Sequence, residues 1–379
     1  MRTHLMRAAG AVAAAALAAF GLAGAGAAAA AAAPGSAAAG VPAGFEPVSA
    51  SFRSPASGVV LGAAPGCEVG HAACRALLAA TSDGGTRWHL MTAPGVWLPL
   101  NQASSLPQVS DVVFASRTDG WLYYQYFSGR VWVTHDGGAH WRAITLPGDI
   151  GTMAASAGTV YAVVQRAAGD ELYRSPAGKN AWARVGNVTG STLAVAGKAA
   201  WLGTGFGTSG YLWTTADGVH WARYPFHCPA PAAGGPPYSL AGIAAASRPD
   251  VAFLCAAGEG MYHTSMKVLV SVNGGRTVRP AAQVPQDEGD VYGFAVPPGR
   301  PAVITIGVVT PGLDYLYRSA NGGKTWAAIA IPGTGGGPTL SSLSYVSPTV
   351  GWVVAGMPSF PGQLLRTSDA GRTWHAVRF

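Results

Sequence analysis

The sequence predicts an all-β protein, a seven-bladed β-propeller of four-stranded antiparallel blades, on three observations. First, a polar phrase centred on glycine recurs along the chain, as TSDGGTRW (81–88), THDGGAHW (134–141), SVNGGRTV (271–278), SANGGKTW (319–326) and TSDAGRTW (367–374). TADGVHW (215–221) is one residue shorter, and SPAGKNAW (175–182) lacks the acid. Second, the closing positions Trp88, Trp141, Trp182, Trp221, Val278, Trp326 and Trp374 are separated by 53, 41, 39, 57, 48 and 48 residues, the spacing of propeller blades. Third, a phrase such as SRTDGWLYY (116–124) or SPTVGWVVAG (347–356) precedes each turn in the same frame. A small turn followed by a β-branched or aromatic run reads as two strands joined tightly.

Each unit therefore reads strand A, turn, strand B, variable loop, strand C, glycine turn, strand D. In order, strands B and C fall within SPASGVVLGA and ALLAAT, SRTDGWLYY and RVWVTH, GTVYAVVQ and ELYRS, and KAAWLGTG and YLWTT. The last three units use SRPDVAFLCA and VLVSV, RPAVITIG and YLYRS, and SPTVGWVVAG and QLLRT. How the ring closes is open, because the stretch 45–51 reads either as an added outer strand or as the lead-in to blade one.

The residue types of the glycine turn have physical reasons. Asp83, Asp136, Asp217, Asn273, Asn321 and Asp369 at its third position are expected to accept hydrogen bonds from backbone amides about two residues on. The glycines accept positive φ where the hairpin reverses. The closing tryptophan enters strand D as a large apolar wedge. Its burial is worth roughly 2–3 kcal/mol, enough for seven such positions to dominate packing between neighbouring sheets.

The pattern S/T-x-D-x-G-x-T-W resembles the Asp-box, or BNR, repeat, and the chain after its leader is similar to the Asp-box β-propellers. The GW strand combined with a TxDGGxxW turn also resembles the propellers of photosystem II stability and assembly factors. Sialidases carry the same boxes in fewer blades. In this family the boxes lie on the rim, away from the active face, so the resemblance implies a structural role for them.

The first forty residues set the compartment. Two arginines, an alanine-rich apolar run and small residues before Pro34 follow the plan of a secretory signal. The expected organisation is a signal peptide at 1–34, a flexible linker at 35–44 and the propeller at 45–379, secreted after cleavage and not inserted in a membrane. A retained anchor is the alternative. Four cysteines form two local pairs, Cys67 with Cys74 and Cys228 with Cys255, and in an exported chain these read as disulfides, although other connectivities are formally open. The chain has 24 Lys+Arg and 17 Asp+Glu, a net charge of +7. The charges are scattered singly along the sequence, with no basic run, which disfavours nucleic-acid binding.

A catalytic constellation is harder to assemble. FRSP (52–55) echoes the arginine motif of sialidases, whose catalysis uses three arginines, a Tyr–Glu pair and an acid. If the chain were sialidase-like, Arg53 and Glu259 would be the residues to test. Ser54 aligns with Ser116, Ser247 and Ser347, however, so Arg53 falls in a blade turn. Each glycine turn supplies at most one carboxylate, whereas calcium takes six to eight oxygens, and no metal or cofactor is expected.

Function is expected on the face where the repeat breaks down, the face of the B–C loops and D–A crossovers. Candidate ligand-face residues are Tyr126, Arg166, Phe206, Glu259, Tyr262, His263 and Asp314. The leading expectation is a monomeric binding or scaffolding module for an unidentified protein or glycan. A sialidase-like enzyme is the alternative, and an assembly factor for a membrane complex is a third reading.

Overall fold

The structure, a computed structural model, describes residues 40–379 except 68–73, 100–105, 205–209, 231–234, 261–262, 282–283, 285–288, 311–313, 332–339 and 358–359. Ala38–Phe379 forms one compact unit. It is a seven-bladed β-propeller, each blade a four-stranded antiparallel sheet built from strands in chain order, with one short strand of a separate two-stranded sheet interrupting blade one. Strand A of each blade is innermost and strand D outermost. The A–B and C–D turns therefore share one face, here the turn face, and the B–C and D–A connections share the other, the loop face.

Ring closure is settled by strand A of blade one, Glu46–Phe52, which pairs with strand B, Gly58–Ala63, in the register Phe52↔Gly58. Blade seven supplies its own four strands, so no strand is shared between the first and last blades. Side chains join them instead. The Ser342 hydroxyl accepts from Ala50 N–H at 3.0 Å, and Ser341 Oγ donates to Val48 O at 2.8 Å. The phenyl ring of the last residue, Phe379, packs on Phe45 and Trp88 at centroid distances of 4.6 and 4.7 Å. Packing begins ahead of Phe45, within the segment expected as linker: Gly40 bridges to His89, and Val41 lies against the same cluster.

The buried apolar side chains of the described residues divide into seven clusters, one per junction between neighbouring blades. Their centres are not the closing tryptophans. Trp121, Trp201 and Trp352, all on strand B, are the largest fully buried side chains, whereas of the closing residues only Trp374 is buried. The reason is position. Strand B has sheet on both sides and a blade above and below, while a residue at the start of strand D meets only the preceding blade. Trp141 shows this placement, its indole N–H donating back to Thr92 O in blade one at 2.9 Å.

The glycine that opens three of the B strands, at positions 58, 120 and 351, also has a reason. The aromatic ring that ends strand A lies over it, so a Cβ at Gly58 would sit 2.2 Å from Phe52, and one at Gly120 2.5 Å from Phe114. This contact produces the recurring GW and GVV starts seen in the sequence.

In the C–D turns the opening hydroxyl and the third residue form a closed network. Thr81 Oγ1 donates to Asp83 Oδ1 and accepts from the N–H groups of Asp83 and Gly85. Asp83 Oδ1 also accepts from Thr86 and Arg87 N–H, three and four residues on rather than two. Asn273, Asn321 and Asp369 likewise cap amides four residues on, and Asp136 caps that of His140. In the one-residue-shorter copy, Asp217 reaches residues two and three on. The N–H of His140, then its imidazole, holds the Asp136 carboxyl down to about 2. The copy without the acid keeps only the hydroxyl, Ser175 Oγ donating to Lys179 O and accepting from Ala181 N–H.

The fourth residue of the turn links blades. Its N–H donates to the A–B turn of its own blade, as Gly84 to Ala56 O and Gly274 to Pro249 O. Its carbonyl accepts from the preceding blade: Trp201 Nε1 to Gly274 O at 2.9 Å, Arg318 Nε to Ala370 O at 2.6 Å, and Arg174 Nη1 to Gly218 O. The arginines of LYRS and YRS thus act as rivets between sheets, a role the sequence did not announce.

Candidate binding face

Two covalent and several hydrogen-bonded braces shape the loop face. Cys67–Cys74 and Cys228–Cys255 are both disulfides, each with a Cα–Cα distance of 5.7 Å, consistent with an extracellular protein. The first B–C loop and the crossover to blade two form a small sheet, pairing Cys74 with Leu98 and Arg75 with Trp97. The second disulfide ties the blade four crossover to strand B of blade five (Val251–Gly260), and both sulfurs are buried in the junction there.

Among the described residues, the most open aromatic group is the B–C loop of blade two. Tyr126 is 53% and Phe127 56% exposed, and Phe127 stacks on Tyr124 at 4.7 Å. Local bonds fix this loop in place. Tyr126, at φ 64°, donates its N–H to Ile150 O in blade three, and Gln125 Nε2 donates to Gly151 O at 2.7 Å. Exposed rings on a braced backbone lose little conformational freedom on binding, which is what a recognition surface requires.

Carboxylates stand at the loop-face ends of four of the seven innermost strands. Strand A begins with Glu46, Asp111, Asp149 and Asp290 in blades one, two, three and six. Ser110 Oγ donates to Asp111 Oδ2 at 2.6 Å and accepts from Gln125 N–H, so one hydroxyl couples the acid to the aromatic loop. Burial raises the Asp111 carboxyl to about 6, with the Ser110 bond opposing the shift. Burial, and then the charge of Asp111, push the Tyr123 phenol well above its usual range.

The sign of the Asp111 shift makes a prediction. A carboxyl with a higher pKa folded than unfolded favours the native state below pH 3.8, and that contribution disappears as pH rises through about 6. Asp111→Asn is expected to raise stability at pH 7, by up to about 3 kcal/mol, and to change it little at pH 4. Thermal unfolding at the two pH values checks this, and an equal effect at both would overturn it.

The structure separates several of the sequence candidates. Arg166 lies on the loop face, 3.8 Å from Glu171 Oε2, where Arg184 at 3.2 Å and Tyr173 OH also meet that acid. Arg53 lies on the turn face, in the A–B turn, with its N–H on Ser57 O and its guanidinium on the Ser57 hydroxyl. The two arginines do not share a pocket. Asp314 begins strand C of blade six (Asp314–Ser319) and is buried. Glu259 and His263 belong to the paired strands of blade five, with Gly260 opposite His263, rather than to a free loop. Phe206 and Tyr262 lie outside the described residues. Sequence reasoning passed over Asp111 and Phe127; the signal available was an acid or aromatic at the loop-face end of a strand.

No family model matches the chain, and no curated protein does. Solved structures match across most of it. YCF48 from Cyanidioschyzon merolae is 16% identical, with a TM-score of 0.55 over 89% of this chain and 99% of its own. A structure described as YCF48 bound to D1 peptide is 17% identical, with a TM-score of 0.52 over 87% and 96%. Hsv2 of Kluyveromyces lactis is 11% identical, with a TM-score of 0.51 over 88% and 98%. At these identities the likeness is one of fold.

Proposed function

We propose that this propeller is an exported binding module whose loop face takes a segment of another protein carrying basic and aromatic residues. The observation that carries the reading is the braced Tyr126–Phe127 loop joined through Ser110 to a half-buried carboxylate, on a face where four innermost strands begin with an acid. Arginine or lysine is the complement of such a surface, pairing with carboxylates and lying over aromatic faces. The D1 peptide bound by YCF48, a propeller of similar fold, supports a peptide as the ligand. The signal-like sequence pattern of 1–34 and the two disulfides support export.

Peptide display against the purified protein tests the proposal. Selected sequences are expected to be enriched in Arg or Lys next to an aromatic residue. Their affinity is expected to fall at least tenfold in Tyr126→Ala/Phe127→Ala, about 1.4 kcal/mol, the scale of an interface hot spot. Unbiased selection, or unchanged affinity in the double variant with native circular dichroism, would refute it. Selective capture of glycans in place of peptides would also count against it.

A further inference from the structure

Charges that are scattered in the sequence are gathered in space, because the blade period returns every turn to the same face. Exposed Arg117, Lys198, Arg248 and Arg300 stand on A–B turns. Exposed Arg87, Lys179, Arg276, Lys324 and Arg372 stand on C–D turns. Against these nine cations the same turns carry six acids, Asp83, Asp119, Asp136, Asp217, Asp250 and Asp369, each bonded within its own turn, so the turns stay net positive. The opposite face carries the strand-A carboxylates, so the molecule is electrically polar along its axis.

Clefts between blades open on the basic face. One of about 450 Å³ between blades four and five is lined by Arg248, Arg276 and Asn273, and one of about 440 Å³ between blades five and six by Arg279 and Lys324. Val219 is exposed at a turn tip beside the first cleft, and exposed Val272 lines the second.

We infer that the turn face docks on an anionic lipid surface, leaving the loop face directed away from it. The cations are distributed around a ring of turns rather than along one groove, which fits a plane of phosphate headgroups better than a single polymer strand. Apolar turn tips between cations suit the headgroup boundary, where short apolar side chains insert and arginines stay with phosphate. Each Lys or Arg near such a surface contributes about fivefold in affinity at physiological salt. The Debye length of about 8 Å there falls to about 3 Å at 1 M, so the attraction is salt-sensitive.

Flotation of the full chain with vesicles tests the inference. Binding to phosphatidylcholine vesicles containing phosphatidylglycerol is expected to exceed binding to pure phosphatidylcholine at 0.15 M salt, with the excess abolished at 1 M salt. Arg248→Glu/Arg276→Glu is expected to reduce that excess at least about twenty-five-fold, from two lost charges at about fivefold each. Arg75→Glu/Arg130→Glu, the same charge change on the loop face, is expected to retain it. Equal binding to both vesicles, equal loss in both double variants, or binding to dissolved polyphosphate with no anionic-vesicle excess would each overturn the inference. Circular dichroism of each variant separates lost docking from lost folding.

Discussion

Trp352→Ala is expected to destabilise the propeller by about 3–5 kcal/mol, the range for truncating a large buried aromatic side chain. Trp352 has 0% exposure and its ring stacks on Phe52 at 3.7 Å with an interplanar angle of 5°. That contact joins strand B of blade seven (Gly351–Met357) to strand A of blade one, where no shared strand helps. Arg366, 5.5 Å above the same ring, would lose its partner as well. Trp88→Ala is expected to cost distinctly less, because that ring is only half-buried and touches Phe52 edge-on at 6.4 Å. Urea unfolding of both variants decides the matter: equal losses would mean that the closing tryptophans anchor the junctions after all.

Gly275→Ala is the second large effect, expected at about 2–5 kcal/mol. Gly275 has φ +89°, and a Cβ there would lie 2.3 Å from Leu212 Cδ2 in the buried junction with blade four. Left-handed backbone costs a non-glycine residue roughly 1–2 kcal/mol, and forcing a methyl group into a filled core adds roughly 1–3 kcal/mol. Gly274 is the control. Its φ is +75°, but its Cβ would approach only Arg248 O, at 3.2 Å, so Gly274→Ala is expected to show mainly the smaller backbone cost. A urea midpoint for Gly275→Ala no lower than that for Gly274→Ala would show that the close approach to blade four does not limit this turn.

The number of blades and the order of strands were legible because the C–D turn repeats both its residue types and its spacing. What misled was residue size. Tryptophan after the turn reads as an anchor, yet depth in a propeller follows strand order, and Trp121, Trp201 and Trp352 on strand B lie deeper than Trp88 or Trp326. Blade five misled through composition: the glycines in CAAGEGMYHTSM suggest a loop, but ladder pairing of Gly258 with Thr264 extends both strands. The basic face escaped a linear reading because its cations stand tens of residues apart. The candidate mouth escaped for a similar reason: Glu46, Asp111, Asp149 and Asp290 occupy equivalent places without sharing a recognisable phrase.

The side-chain closure between blades one and seven also orders events during folding. A chain synthesised from its N-terminus completes blade one early, yet Phe45, Val60 and Ala79 are covered only when Trp352, Val354 and Leu364 have been made. For nearly the whole of synthesis that apolar flank has no native partner, and such a surface is the one on which a partly made chain aggregates. Phe379, packed on Phe45 and Trp88, covers the same flank, so the ring shuts only after blade seven has been made.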